Sequence, residues 1–164
     1  MHQRDLVLRA WVVLLSAVSL QAGAQVYSCS ASTTGTINFL AYNPAASGAA
    51  SASATAALEC RYVSGSQSTI TWSMQLSNGS SGTCAGRSMP GSNGGALSYN
   101  IYQNSLAGGV WGNSACGTYP NGTLKVSSGQ RTSSVKDTLY GQIGAGQWVP
   151  VGAYAETLTL TFSY

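Results

Sequence analysis

The sequence predicts an all-β protein, an antiparallel sandwich of short strands, and three observations carry that prediction. Apolar residues recur with period two in several separate stretches. Gly, Ser and Asn clusters punctuate those stretches at roughly 10–20-residue spacing, and no stretch sustains a helical period. The clearest interior strand is Ser68 to Ser77, where Ile70, Trp72, Met74 and Leu76 alternate with Thr69, Thr71, Ser73, Gln75 and Ser77. The last ten residues, AETLTLTFSY, repeat the pattern: Leu158, Leu160, Phe162 and Tyr164 against Thr157, Thr159, Thr161 and Ser163. A strand that apolar needs a partner on each edge and a core beneath it. No hairpin turn or return strand follows it in the sequence.

The remaining elements follow in chain order. Thr36 to Ala41 reads as a short strand closed by the turn at Asn43-Pro44. Ala54 to Tyr62 places Ala56, Leu58, Cys60 and Tyr62 on one face. Its Ala-rich lead-in, residues 49–57, could be argued as a helix, but interleaved Ser and Thr favour a strand. Ala96 to Tyr102 alternates Leu97, Tyr99 and Ile101 with Ser98 and Asn100, and Leu124 to Val126 and Val135 to Ile143 are further short strands.

The first 24 residues read as an export leader. Arg4 and Arg9 precede the apolar run AWVVLLSAVSL, and Ala22-Gly23-Ala24 has the small-residue form of a cleavage site. The run falls short of the roughly 20 residues that span a bilayer. Cleavage after Ala24 leaves residues 25–164 as one domain, a protein exported to the periplasm and then to the cell surface or beyond. That portion has five basic residues (Arg61, Arg87, Lys125, Arg131, Lys136) and three acidic ones (Glu59, Asp137, Glu156). Five scattered cations form no basic stripe, which leaves nucleic-acid binding without electrostatic support.

Cys29, Cys60, Cys84 and Cys116 all follow the cleavage site, at spacings of 31, 24 and 32 residues. An even count in an exported chain reads as two disulfides rather than a metal site. Of three connectivities, Cys29–Cys60 with Cys84–Cys116 is preferred. A search for catalysis finds no support: the one histidine, His2, leaves with the leader, and no G-x-S-x-G occurs. Glu59 and Glu156 are expected on the polar sides of their strands, as solvated carboxylates. No cofactor is implied. Trp72 is expected in the core. Leu106, Val110, Trp111 and Trp148 lie in loop-like stretches, where the choice is between burial under a loop and contact with a surface or partner.

Several segments together resemble the spore coat protein U domain, which is shared with pilins of the archaic chaperone–usher pathway. They are GRSMPG at residues 86–91, LSYNIYQN, VWGN, and LYGQIGAGQWVPVGAYAETLTLTFSY with Gly152, Tyr154, Glu156 and Thr157; Cys29, INFLAYNP and Cys60 also fit. The resemblance covers the whole of residues 25–164. It implies an immunoglobulin-like sandwich that lacks its last strand, so that Leu158, Leu160, Phe162 and Tyr164 line a groove filled first by a periplasmic chaperone. A neighbouring pilus subunit replaces the chaperone at the outer-membrane usher by β-augmentation. The Tyr164 carboxylate is then an anchor for the chaperone. Only Gln25 to Ser28 precede Cys29, whereas a donor segment needs roughly 10–15 residues at about 3.3 Å each. The expectation is a terminal, tip or accessory subunit that accepts a strand without donating one, acting in adhesion and biofilm formation. The alternatives are a self-assembling spore or cell-surface coat protein and a carbohydrate-binding β-sandwich module.

Overall fold

In a computed structural model of the chain, the described residues are 9–18 and 26–164, and within 9–18 the described side chains are Val12 and Leu14. The leader's Arg4 and the motif Ala22-Gly23-Ala24 lie outside them. The described residues form ten strands in two five-stranded sheets. One sheet has the order β3 (Ile37–Ala41), β1 (Arg9–Val18), β10 (Ala153–Ser163), β5 (Ser68–Leu76) and β8 (Asn121–Val126). The other has the order β2 (Tyr27–Thr34), β4 (Ala50–Tyr62), β9 (Thr132–Ile143), β7 (Ala96–Gln103) and β6 (Arg87–Pro90). All pairings between these strands are antiparallel except β1 with β10, which is parallel. The architecture is the expected β-sandwich.

Side-chain parity builds the core. Ile70, Trp72, Met74 and Leu76 from β5 meet Leu97, Tyr99 and Ile101 from β7 and Leu158, Leu160 and Phe162 from β10, all buried between the sheets. The Ala-rich lead-in is strand from Ala50 onward, and Ala54, Ala56, Leu58 and Cys60 turn inward along β4. Alanine serves there because β4 is paired by β9 from Ala50 to Arg61 and by β2 from Thr55 to Tyr62. Such a strand needs little side-chain volume to hold its place. Trp72 sits in the core as expected. Its partner in register on β8 is Gly122, where an added Cβ would lie 3.2 Å from the Trp72 ring.

Two strands escape a reading by apolar alternation. β2 is Ser- and Thr-rich and alternates only between half-buried and exposed, because it is an edge strand covered on one side by β4. β6 has four residues and is defined by its pairing with β7. The greater difference lies at residues 9–18. The run expected to leave with the leader forms β1, inside the sheet and next to the terminal strand.

The disulfides join Cys29 to Cys60 and Cys84 to Cys116. The first links residues directly opposite on β2 and β4, with Cα atoms 4.0 Å apart. The second ties the loop after β5 to the segment before β8 and has a Cα separation of 6.0 Å. Each loop, of sequence separation 31 or 32, restricts the unfolded chain by about 3–4 kcal/mol on the polymer account.

Replacing Cys29 and Cys60 by Ser should lower unfolding stability in urea by about that amount. Replacing Cys84 and Cys116 should cost more, because the freed loop no longer holds the Cys84 backbone carbonyl against the buried Arg87 guanidinium. Equal losses for the two pairs would contradict this. Asp137 on β9 shares the inward parity of Val135 and Leu139, and burial raises its pKa above the ordinary value. A raised carboxyl pKa means that the folded chain holds the proton more tightly than the unfolded chain. Stability from this group is therefore present at acid pH and is lost as pH rises through the folded pKa. Asp137→Asn should raise the denaturation midpoint at pH 7, and the gain should vanish once the wild-type carboxyl is protonated. A gain that persists unchanged in acid would contradict the assignment.

Candidate functional site

The terminal strand β10 presents two different edges. On one side it pairs antiparallel with β5, from Leu160↔Leu76 to Ser163↔Ser73. The Thr159 carbonyl accepts from Ser77 N–H, and Thr159 N–H donates to the Ser77 hydroxyl, so this residue's backbone faces β5. Strand alternation turns the backbone groups of Leu158, Leu160 and Phe162 to the opposite edge, while their side chains point down into the core. That opposite edge is paired by β1 at ten of the eleven positions of β10, from Arg9↔Ala153 to Val18↔Phe162.

On its far side β1 pairs with β3 at Arg9↔Ala41, Ala10↔Leu40, Trp11↔Asn38 and Val12↔Ile37, with a register shift between Ala10 and Trp11. The shift coincides with Leu40, whose φ is +57° and whose N–H donates to Asn38 Oδ1. β3 has its own attachment to the opposite sheet. Ile37 and Phe39 are buried over Gly141 of β9, where any Cβ would come within 2.7 Å of both side chains, and the Phe39 ring meets Tyr99 edge-on at 6.3 Å. β3 is therefore docked across the sandwich, and β1 fills a slot one strand wide between β3 and β10. Val12, opposite Glu156, and Leu14, opposite Leu158, close the core in that slot. Of the expected groove residues, Leu158, Leu160 and Phe162 are fully buried beside this slot, and Tyr164 is half-buried against the core.

Glu156 departs from the sequence expectation. It shares the parity of Tyr154, Leu158, Leu160 and Phe162, faces inward, and is only 7% exposed. Extending the terminal alternation two residues backward would have placed it there. Its carboxylate accepts from the Ser80 N–H, from the Ser80 hydroxyl at 2.6 Å, and from the Tyr99 hydroxyl across the sandwich. Burial and the bond to Glu156 raise the Tyr99 pKa, which keeps the phenol protonated and donating. Nearby, Arg87 is completely buried. Its guanidinium donates to the carbonyls of Ser77 at 2.8 Å, Trp111 at 2.8 Å and Cys84 at 3.2 Å. Burial pushes its pKa down, opposed by Tyr99 and Glu156. The cluster pins the disulfide-closed loop after β5 to the start of β10. Glu59, by contrast, is outward on β4 and pairs with Arg61 at 2.7 Å, as a surface carboxylate does.

The loop tryptophans divide. Trp111 is fully buried: its indole N–H donates to the Met74 carbonyl at 2.9 Å, and its backbone N–H donates to Ile101. A surface-contact role for Trp111 is thereby corrected. Short bridges from Tyr102 to Val110 and from Trp111 to Thr118 fold this segment back onto the sandwich, a non-local pairing that no local pattern announces. Val110 is half-buried and Leu106 is exposed at the tip of the same segment. Trp148 is 76% exposed, in the loop leading to β10. Among the described residues no group of three or more His, Cys, Asp or Glu side chains could hold a metal ion.

Glu156→Gln should destabilise the fold by about 1–3 kcal/mol, because it takes the charged acceptor away from the buried Ser80 and Tyr99 donors. Tyr99→Phe, which removes one hydrogen bond to that carboxylate, should cost about 2 kcal/mol. Chemical denaturation of the two variants checks both, and a neutral Glu156→Gln would show that the bonds from Ser80 and Tyr99 do not need a charged acceptor.

Among curated proteins no match is found. The family described as Spore Coat Protein U domain matches residues 15–161, which takes in β2 to β9, nearly all of β10, and the end of β1. With two disulfides, the sandwich and that match over most of its length, the chain belongs to the Spore Coat Protein U domain family.

Proposed function

We propose that this chain is an exported, non-enzymatic surface subunit of pilus type whose sandwich is completed by a strand from another polypeptide. The single observation that supports it is the slot between β3 and β10. Residues 26–164 supply both of its walls, and the strand within it comes from the run read as a leader. Membership of a family of pilus- and coat-type surface subunits points the same way. Loss of residues 1–24 on export leaves the edge backbone of Leu158, Leu160 and Phe162 bare above an apolar floor. Such an edge aggregates unless it is covered.

The cover we propose is a periplasmic chaperone during transit and a neighbouring subunit after assembly at an outer-membrane usher, each adding a strand by main-chain pairing with apolar side chains alternating into the slot. The segment Tyr27–Thr34 is committed to β2 and to the Cys29–Cys60 bond, which fits a subunit that accepts a strand at a terminal or accessory position in adhesion and biofilm formation.

The test is affinity capture of tagged residues 25–164 from the periplasm of the native host, with mass spectrometry of what is retained. Deleting Leu158 to Tyr164 is a poor control, since three of those side chains are core. The control instead carries an apolar strand appended through a short turn after Tyr164, which covers the open edge and leaves the core intact. A chaperone of immunoglobulin-like fold should be retained by residues 25–164 and lost with the appended strand. Recovery of residues 25–164 alone, monomeric and with the Leu158, Leu160 and Phe162 amides protected from exchange, would overturn the reading and favour a self-contained coat protein.

A further inference from the structure

We propose that the outer edge of β2 docks against the β2 of a second copy of this chain, joining two five-stranded sheets into one about a two-fold axis at Ser30. The inference stands apart from the strand-acceptor reading, which concerns β10 in the other sheet.

Four strands end the two sheets, β3 and β8 in one and β2 and β6 in the other. An open edge invites pairing with another chain, and proteins blunt it with brevity, proline, charge or irregular backbone. β6 has four residues and ends at Pro90. β8 carries Lys125 and, at Gly122, a residue that weakens a strand. β3 has five residues and holds Leu40 in the left-handed region, at a φ of +57°. β2 has none of these devices. Its eight residues, YSCSASTT, include no proline, glycine or charge, and its register with β4 runs unbroken from Tyr27↔Tyr62 to Thr34↔Thr55. A strand so rich in Ser and Thr is prone to slip. The Cys29–Cys60 bond locks it in place, which presents its outer edge as a fixed template.

Backbone direction identifies the groups on that edge. The Tyr62 N–H donates to the Arg131 carbonyl, and the Val26 carbonyl accepts from Val63 N–H, so Tyr62 faces β9 and Val26 faces β4. Alternation then turns the backbone of Ser28, Ser30, Ser32 and Thr34 toward β4, and that of Tyr27, Cys29, Ala31 and Thr33 outward. Among the described residues no strand pairs with this outer edge. An antiparallel copy of the same strand satisfies it in one register. With Ser30 opposite Ser30, Tyr27 pairs with Thr33 and Cys29 with Ala31 on both sides of the axis, so all four outward residues of each copy are bonded. On the solvent face Ser28 meets Ser32 and Ser30 meets Ser30, small hydroxyl pairs that bond across strands. The charges flanking them on β4, Glu59 and Arg61, neutralise one another at 2.7 Å within each copy. A strand without charge meets no like charge when paired with itself, and it offers a foreign strand nothing charged or bulky to recognise. Its fitting partner is therefore its own copy.

The experiment uses the protein as produced from the full chain in its native host, in two forms: unaltered, and with the apolar strand appended after Tyr164 that covers β10. Both should sediment as dimers at high micromolar concentration. Ala31→Pro removes one outward N–H from each copy and spares the β4 ladder, since proline is tolerated on a strand's open side. Ser30→Lys sets two ammonium groups against each other at the axis. Each should weaken the dimer about tenfold or more, with the urea midpoint of the monomer little changed. Ser30→Cys reports the register. Opposed residues of a non-hydrogen-bonded pair stand about 4.5 Å apart at Cα, within disulfide reach, whereas two Ser32→Cys sites would lie roughly 14 Å apart. Ser30→Cys should therefore give covalent dimers and Ser32→Cys none. Monomers in both forms, dimers indifferent to Ala31→Pro and Ser30→Lys, or equal cross-linking at positions 30 and 32 would each overturn the proposal. Dimers that form only while β10 is uncovered overturn it as well and leave the strand-acceptor reading standing. If the appended form does not fold, the cross-linking contrast in the unaltered form decides alone.

Discussion

The edge of β10 that faces away from β5 is the constraint on which the rest of the arrangement turns. A strand in the middle of a sheet needs its backbone groups satisfied on both sides, and β5 satisfies only one. The other side faces a slot filled by β1, whose far wall, β3, is held by contacts across the sandwich as well as by its pairing with β1. A slot with independently fixed walls can gain or lose its central strand while the walls keep their positions. This separation of wall from filling is what makes exchange of one strand for another physically reasonable. An ordinary hairpin strand could not be exchanged without dismantling its turn.

The buried polar cluster complements that arrangement from below. An arginine and a glutamate inside a sandwich are costly unless each is fully bonded. Here Arg87 spends its donors on three backbone carbonyls that belong to loops, those of Ser77, Cys84 and Trp111, while Glu156 collects Ser80 and Tyr99. Irregular segments that could not satisfy their own carbonyls are thereby fastened to the core. The Cys84–Cys116 bond closes the same region covalently. The start of β10 is thereby fastened to the loops at Ser77, Ser80 and Cys84.

Local pattern revealed much of this molecule. β5, β7 and β10 show clean alternation because each has one buried face, and the structure places their apolar residues as the alternation does. β2 and β6 left no such trace, one because it is a half-covered edge and the other because it is short. Glu156 was legible by parity, two residues before Leu158, but its charge argued for solvent; the compensating donors lie at Ser80 and Tyr99, 76 and 57 residues away. Trp111 could not be placed from its neighbours, since its burial depends on Met74 and Ile101.

By itself the sequence determined the class of fold, the positions of most strands, the reading of four cysteines as two disulfides and the apolar character of the last strand. These depend on period, composition and spacing, which are local quantities. Tertiary structure alone decided which strand lies beside which, that Arg87 and Glu156 are interior, and that the neighbour of β10 is the run Arg9–Val18, at the other end of the chain. Strand pairing is specified by contacts between residues far apart in sequence, and a strand's own pattern states only that one face must be covered. What covers it is decided by the rest of the fold.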